Sequence, residues 1–290
     1  MSFLHGTGVA IVTPFKKNQE LDLIALGKLI DFLIEGGVNY IVTLGTTGET
    51  PVLSKEEKKE VIQFTFDHVN DRIPVVVGIG GNNTSALIDE ITNSDIDKAA
   101  AILSTCPYYN KPSQEGIFLH YQSIAKASSK PIILYNVPGR TGRNINSSTV
   151  LKLANEVENV IGIKEASGDM MQCMEILKNR PNGFIVVSGD DALTIPQMAC
   201  GMDGIISVAA NAYPKEISSI VQSCKNQDFK GAKRLNDNLI DAYQLMFEEN
   251  NPAGIKAFLS EMGMIENQLR LPLVPVGDSL QKRIREFVKK

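Results

Sequence analysis

Histidine is scarce in this chain: His5, His68 and His120 stand far apart, with neither a His-x-His nor a His-Glu-x-x-His spacing. A metal-polarised aldol enzyme is therefore disfavoured, because such an ion needs clustered imidazole ligands. The four cysteines, Cys106, Cys173, Cys200 and Cys224, form no Cys-x-x-Cys pair. That sets aside a zinc ribbon and a redox dithiol, and reduced, mostly buried thiols are expected. A basic excess is missing too: 29 Lys and Arg against 33 Asp and Glu leave a net charge of −4, and the cations are scattered. Nucleic acid has no electrostatic footprint here, and a small-molecule partner is expected. No apolar run approaches the roughly 20 residues of a membrane span, and Met1 to Gly6 shows no charged region leading into an apolar stretch. The expectation is a soluble, cytoplasmic protein. Gly78-Ile79-Gly80-Gly81-Asn82-Asn83 misses the last glycine of the dinucleotide fingerprint, and no Walker phosphate loop occurs. Neither a nucleotide cofactor nor a metal is expected.

What the sequence does have is alternation of short Val/Ile-rich runs with longer segments of helical period, the pattern of repeated βα units around a parallel sheet. Eight runs are legible: Gly8 to Pro14, Tyr40 to Leu44, Val75 to Ile79, Ala99 to Thr105, Pro131 to Tyr135, Val160 to Lys164, Phe184 to Ser188 and Gly204 to Val208. Each is near-continuously apolar, as a strand covered on both faces should be. Eight such strands predict an α/β protein of the (β/α)₈ TIM-barrel class. Leu23, Leu26, Ile30 and Leu33 share one helical face ending at Gly36-Gly37, while Ser54 and Glu57 form a capping box ahead of Ile62, Phe66 and Val69. Beyond Pro214 no strand is evident. Residues 1–214 are read as the barrel and 215–290 as a C-terminal helical extension packed on it, interrupted at Asn251-Pro252 and Leu271-Pro272.

In such a barrel the active site lies at the C-terminal ends of the strands. The sixth run delivers Lys164 there, within Gly162-Ile163-Lys164-Glu165-Ala166-Ser167-Gly168-Asp169. An amine among apolar neighbours has its charged form disfavoured, so free amine is available to attack a ketone and form a Schiff base. Carbon–carbon chemistry without a metal needs such an electron sink. The bland alternative is a lysine snorkelling to solvent. Gly45-Thr46-Thr47-Gly48-Glu49 after the second strand offers hydroxyls and N–H groups to a small carboxylate, or is an ordinary turn. Pro107-Tyr108-Tyr109-Asn110 and Tyr135-Asn136-Val137-Pro138-Gly139-Arg140-Thr141 bring phenols able to relay protons, and an arginine fork suited to a carboxylate. Either tyrosine can instead be rim packing, and the arginine simply solvated. Backbone groups at Gly189 and along Ile205-Ile206-Ser207-Val208 are expected to line the pocket. Asp191 is expected to cap the helix beginning near Leu193.

Taken together, and in this order along the chain, these segments resemble the dihydrodipicolinate synthase/N-acetylneuraminate lyase family. The likeness continues through Asn251-Pro252 and Arg270-Leu271-Pro272-Leu273. It implies a (β/α)₈ barrel whose reaction begins when pyruvate forms an imine with Lys164. Within the family the likeness is to the branch joining pyruvate to L-aspartate 4-semialdehyde on the diaminopimelate route to lysine. By that resemblance Tyr135 is proton donor and acceptor, Thr46 and Tyr109 complete a hydroxyl relay, and Thr47 holds the pyruvate carboxylate. Ile206 contributes its backbone carbonyl, and Arg140 meets the carboxylate of the semialdehyde. The counterpart of Tyr109 reaches in from a neighbouring subunit, which implies a homo-oligomer, a tetramer built from tight dimers. Arg140 disfavours a lyase or dehydratase acting on sugar acids, and retention of Lys164, Tyr135, Thr46, Thr47 and Tyr109 disfavours a catalytically silent barrel. Lys55, Lys58 and Ala86 depart from the histidine and acidic residue of lysine-inhibited members, so weak or absent feedback by L-lysine is expected.

Overall fold

The computed structural model describes residues 4–290. Eight parallel strands close into a barrel in sequence order, β1 (Gly6–Ala10), β2 (Tyr40–Thr43), β3 (Val75–Gly78), β4 (Ala101–Thr105), β5 (Ile132–Asn136), β6 (Val160–Glu165), β7 (Ile185–Ser188) and β8 (Gly204–Ser207), with β8 pairing back onto β1. The eight-stranded barrel is the one expected, but β1 is displaced from its apolar run. It starts at Gly6 because the two glycines at the β1–β8 seam let the backbones meet closely. A Cβ at Gly204 would lie 2.0 Å from the Gly6 carbonyl oxygen. It stops before Pro14 because Val12 N–H turns aside to the Asn211 side chain, at 3.2 Å.

The strands alternate strictly, with one exception described below. Tyr40, Val42, Val76, Leu103, Ile133, Val187 and Ile206 fill the barrel, and their sequence neighbours face the helices. Period-two alternation with both faces buried explains why each strand reads as a continuous apolar run. The cladding helices are α1 (Leu23–Glu35), α2 (Lys55–Val69), α3 (Thr84–Asn93), α4 (Gln114–Ala127), the single turn α5 (Pro138–Thr141), α6 (Ser147–Glu156), α7 (Met170–Asn179), α8 (Thr194–Ala199) and α9 (Pro214–Lys225). In α1 the Asp22 side chain accepts from Ala25 N–H, and Leu26, Leu29, Ile30 and Leu33 are buried. In α2 the Ser54–Glu57 capping box is formed in both directions.

Pro214 opens α9, which packs against β1 and α1. The division at residue 214 leaves that helix to the C-terminal region, whose own elements are α10 (Phe229–Asp237), α11 (Ile240–Phe247), α12 (Ala253–Glu261) and α13 (Asp278–Val288). They pack on the barrel partly through edge-to-face contacts among Tyr213, Phe258 and Phe287 with centroids 5.9–6.4 Å apart. Among the described residues no helix is long and apolar enough to cross a membrane.

Candidate active site

Strict alternation would turn Lys164 away from the barrel, since Val160 on the same strand faces the helices. A bulge reverses the phase. Ile132 pairs with Val160 but Ile133 with Gly162, so β6 carries one extra residue, and Lys164 then pairs with Tyr135 on the inner side. Gly162 permits this, because a Cβ there would lie 2.6 Å from the Ile185 carbonyl oxygen. Lys164 is 4% exposed, with its Nζ 4.5 Å from the centre of the Tyr135 ring. The side chain is therefore buried, its amine on the phenol's face, within the apolar lining formed by Ile133, Ile161, Val187 and Ile206. The lysine does not snorkel.

Gly189 and Ile206 lie against this pair, and Thr47 and Arg140, at neighbouring strand ends, are joined through Asn251. Thr46-Thr47-Gly48 form a tight 3₁₀ turn after β2. Thr13 donates to Gly48 O at 2.8 Å, and Thr50 donates to Leu44 O at 2.6 Å. Thr47 is buried and its Oγ1 accepts from Asn251 Nδ2 at 3.0 Å, which leaves its own O–H free to donate. Ile206 is fully buried on the inner face of β8. Gly189 closes against the lysine stem, since a Cβ there would lie 2.9 Å from Lys164 Cε. Arg140, exposed on α5, donates from Nη2 to Asn250 Oδ1 and to Asn251 O, both at 3.0 Å, so it is tethered rather than simply solvated.

Two residues stand elsewhere than a single closed site would have them. Tyr109 is 89% exposed, at φ +70°, its N–H directed to Thr141 O at 3.4 Å. Within one chain it covers nothing. Asp191 does not cap the helix near Leu193. Its neighbour Asp190 accepts from Ala192 N–H at 3.0 Å and Leu193 N–H at 3.3 Å in the turn ahead of α8, whose own first residues no side chain caps. The buried Asp191 carboxylate instead crosses to the end of β8, accepting from Ser207 Oγ and from Val208 and Ala209 N–H, each of the latter at 3.1 Å. Burial raises its carboxyl above the usual range, with those donors acting the other way. Asp191 turns from the helix because three donors converge at the buried end of β8 and would otherwise lose their partner.

Sequence reasoning missed the residues behind the sheet. Asn136 and Glu165 follow Tyr135 and Lys164, pair with one another in the ladder, and point outward. Asn136 Nδ2 donates to Glu165 Oε1 and Oε2 at 3.1 and 3.0 Å, joined by Ser167 N–H at 2.7 Å and Gln172 Nε2 at 2.9 Å. The network fixes β5 and β6 to α7 without a cation. The available signal was a polar residue breaking each apolar run one position after the chemistry. Lys55, Lys58 and Ala86 line a recess of about 980 Å³ between α2 and α3 on the outside of the barrel, with Lys58 paired to Glu90 at 3.3 Å. None of the proposed catalytic residues lines it. No group of three His, Cys, Asp or Glu side chains among the described residues is arranged to hold a metal ion.

Comparison with known proteins shows the fold and the family. The 4-hydroxy-tetrahydrodipicolinate synthase of Parabacteroides distasonis is 48% identical over 99% of this chain and 96% of its own length. The dihydrodipicolinate synthase structure of Thermotoga maritima superposes with a TM-score of 0.96 at 38% identity, covering 99% of this chain and 98% of that one. A chloride-inhibited dihydrodipicolinate synthase of Acinetobacter baumannii, complexed with pyruvate, gives 0.95 at 40% identity over 99% and 98%. With residues 4–290 also matching it as a unit, this chain belongs to the dihydrodipicolinate synthetase family.

Proposed function

We propose that this protein condenses pyruvate with L-aspartate 4-semialdehyde to give 4-hydroxy-tetrahydrodipicolinate, on the diaminopimelate route to lysine. The observation that carries the reading is the buried Lys164 side chain with its amine on the Tyr135 ring, with the Thr46-Thr47 turn, Gly189 and Ile206 around the same barrel mouth. The Lys164 amine attacks C2 of pyruvate, whose carboxylate is held by the Thr47 hydroxyl and adjacent N–H groups. Tyr135 passes a proton to the carbinolamine oxygen, water leaves, and the iminium forms. Transfer of a methyl proton to the Tyr135 phenolate gives the enamine, the iminium nitrogen accepting the electron pair. Its terminal carbon attacks the aldehyde, and Tyr135 returns a proton to the new alkoxide. The amino group of the former semialdehyde then adds to the imine carbon and displaces Lys164 as the ring closes. Arg140 presents its guanidinium to the semialdehyde carboxylate from the rim.

Tyr109 belongs to the same relay from a second copy of the chain. Its exposure and its left-handed backbone suit a side chain that projects outward to complete a neighbour's site. The working unit is then at least a dimer, and by family likeness a tetramer of tight dimers. Free thiols at Cys106, Cys173, Cys200 and Cys224 suit a reducing cytoplasm.

The test is pyruvate consumption by purified protein with aspartate semialdehyde or sugar-derived aldehydes, using Lys164→Ala as the blank. Turnover confined to the semialdehyde, with a pyruvate adduct on Lys164 trapped by borohydride, is expected. Arg140→Ala should raise the KM for the semialdehyde and leave that for pyruvate in place. Turnover only with sugar aldehydes would move the protein to a lyase of the same family.

A further inference from the structure

Glu49 sits immediately after the Thr46-Thr47-Gly48 turn with φ +54°, a left-handed backbone that costs a non-glycine residue free energy unless its surroundings impose it. What imposes it comes from the C-terminal region. The Glu49 carboxylate is ion-paired with Lys256 of α12, and both side chains are wholly buried. Glu49 Oε2 also accepts from Arg270 N–H at 3.2 Å. Lys256 is held in turn by the Gln268 carbonyl at 2.9 Å and lies 4.2 Å from the centre of the Phe15 ring. Arg270 covers the same ring at 4.4 Å and pairs with Glu57 of α2. One residue turn earlier, Asn251 grips Thr47 itself.

A buried ion pair is a poor device for stability alone, since well-packed apolar groups often serve better. Here it joins the carboxylate-binding turn to an element that is otherwise remote from the chemistry. We infer that Lys256 is a positioning residue for the keto acid: its ammonium holds Glu49 in the left-handed corner and so fixes Thr47 and the neighbouring N–H groups around the pyruvate carboxylate. The inference rests on the assignment of Thr47 to pyruvate. Burial brings the Lys256 amine down to about 8, against the opposing pull of Glu49. The charged groups around it are Glu49 and Arg270, with Glu57 behind Arg270. Above that pH Glu49 faces a neutral amine, so the grip on the turn slackens within the working range of an enzyme assay.

The experiment compares wild type, Lys256→Met and the double variant Glu49→Gln/Lys256→Met, each assayed for both KM values, kcat and Tm between pH 7 and 9.5, with borohydride trapping of the pyruvate imine. Lys256→Met should lower Tm, because Glu49 is left buried and unpaired, and raise the pyruvate KM by about tenfold while the semialdehyde KM moves less than about twofold. The double variant should recover Tm yet keep the raised pyruvate KM. In the wild type the pyruvate KM should climb above pH 8, and this limb should be missing from the double variant. A folded double variant with wild-type pyruvate KM, parallel rises in both KM values, or a wild-type profile without the alkaline limb would each overturn the inference. Failure of wild type to trap pyruvate would overturn the assignment of the site and this inference with it, whereas normal trapping with an unchanged KM overturns the inference alone.

Discussion

Gly189→Ala tests the packing of the proposed nucleophile with a single methyl group. The added carbon would lie 2.6 Å from Ala166 Cβ and 2.9 Å from Lys164 Cε. Carbon atoms rest at about 3.5–4.0 Å, so roughly 1 Å of retreat must be found. Ala166 cannot supply it, because its N–H is bonded to Asn136 O at 2.9 Å and holds that corner of the backbone. The lysine stem is the flexible partner and yields, swinging Nζ off the Tyr135 ring. A displacement of that size costs about 100-fold in rate, equivalent to about 2.7 kcal/mol of barrier. Overpacking should cost a further 1–3 kcal/mol or so of stability, visible as a modest fall in Tm. Gly189 lies outside the left-handed region, so alanine adds volume there and no backbone strain. The assay is kcat together with the fraction of Lys164 trapped by borohydride at saturating pyruvate. Both should fall while the protein remains folded. A variant with kcat within about threefold of wild type and full trapping would refute the claim that Gly189 sets the lysine's position.

Glu165→Gln places an amide NH₂ where the carboxylate now accepts N–H groups at both oxygens, so either rotamer opposes donor to donor; stability should fall by about 2–3 kcal/mol, and an unchanged Tm would show the network to be slack. His120, buried against Tyr121 with Nδ1 2.8 Å from Thr84 Oγ1, is brought by burial from 6.5 to about 4. The unfolded chain binds the extra proton between those values, so wild-type stability should be full above pH 6.5 and decline as pH falls toward 4, by up to about 3 kcal/mol. Denaturant melts of His120→Gln should show a shallower slope across that window; an identical slope would place the acid sensitivity elsewhere.

The barrel was legible because its strands are buried on both faces, which writes each as a short apolar run between helical periods. The ends were less so. The β1 run is apolar to Val12, but its last residues follow Asn211 rather than β2, a contact made across the whole chain. Pro214 reads as a stop or as a first helical residue, and only packing on β1 decides between them. The proposed site residues stand out as types at strand ends, with their order in the chain adding most of the specificity. Their partners were not: Asn251 on Thr47 and Lys256 on Glu49 are each separated by about 200 positions, and no local pattern couples them.

The bulge in β6 explains why the sixth run should have been harder to read than it was. Counting alternate residues from Val160 puts Lys164 among the helices, where a charged group would have no partner. Gly162, in the middle of an otherwise branched run, is the mark of the extra residue, since only there can the strand pass the Ile185 carbonyl so closely. The shift also sends Glu165 outward beside Asn136, and the two consequences belong together. With the anchoring hydrogen bonds on the helix side of the sheet, the inner face keeps the Lys164 amine free of acceptors, and Tyr135 is held in register with it by neighbours that never meet the substrate. A lysine fixed by its own salt bridge would have its amine occupied. This one is fixed through the residue after it.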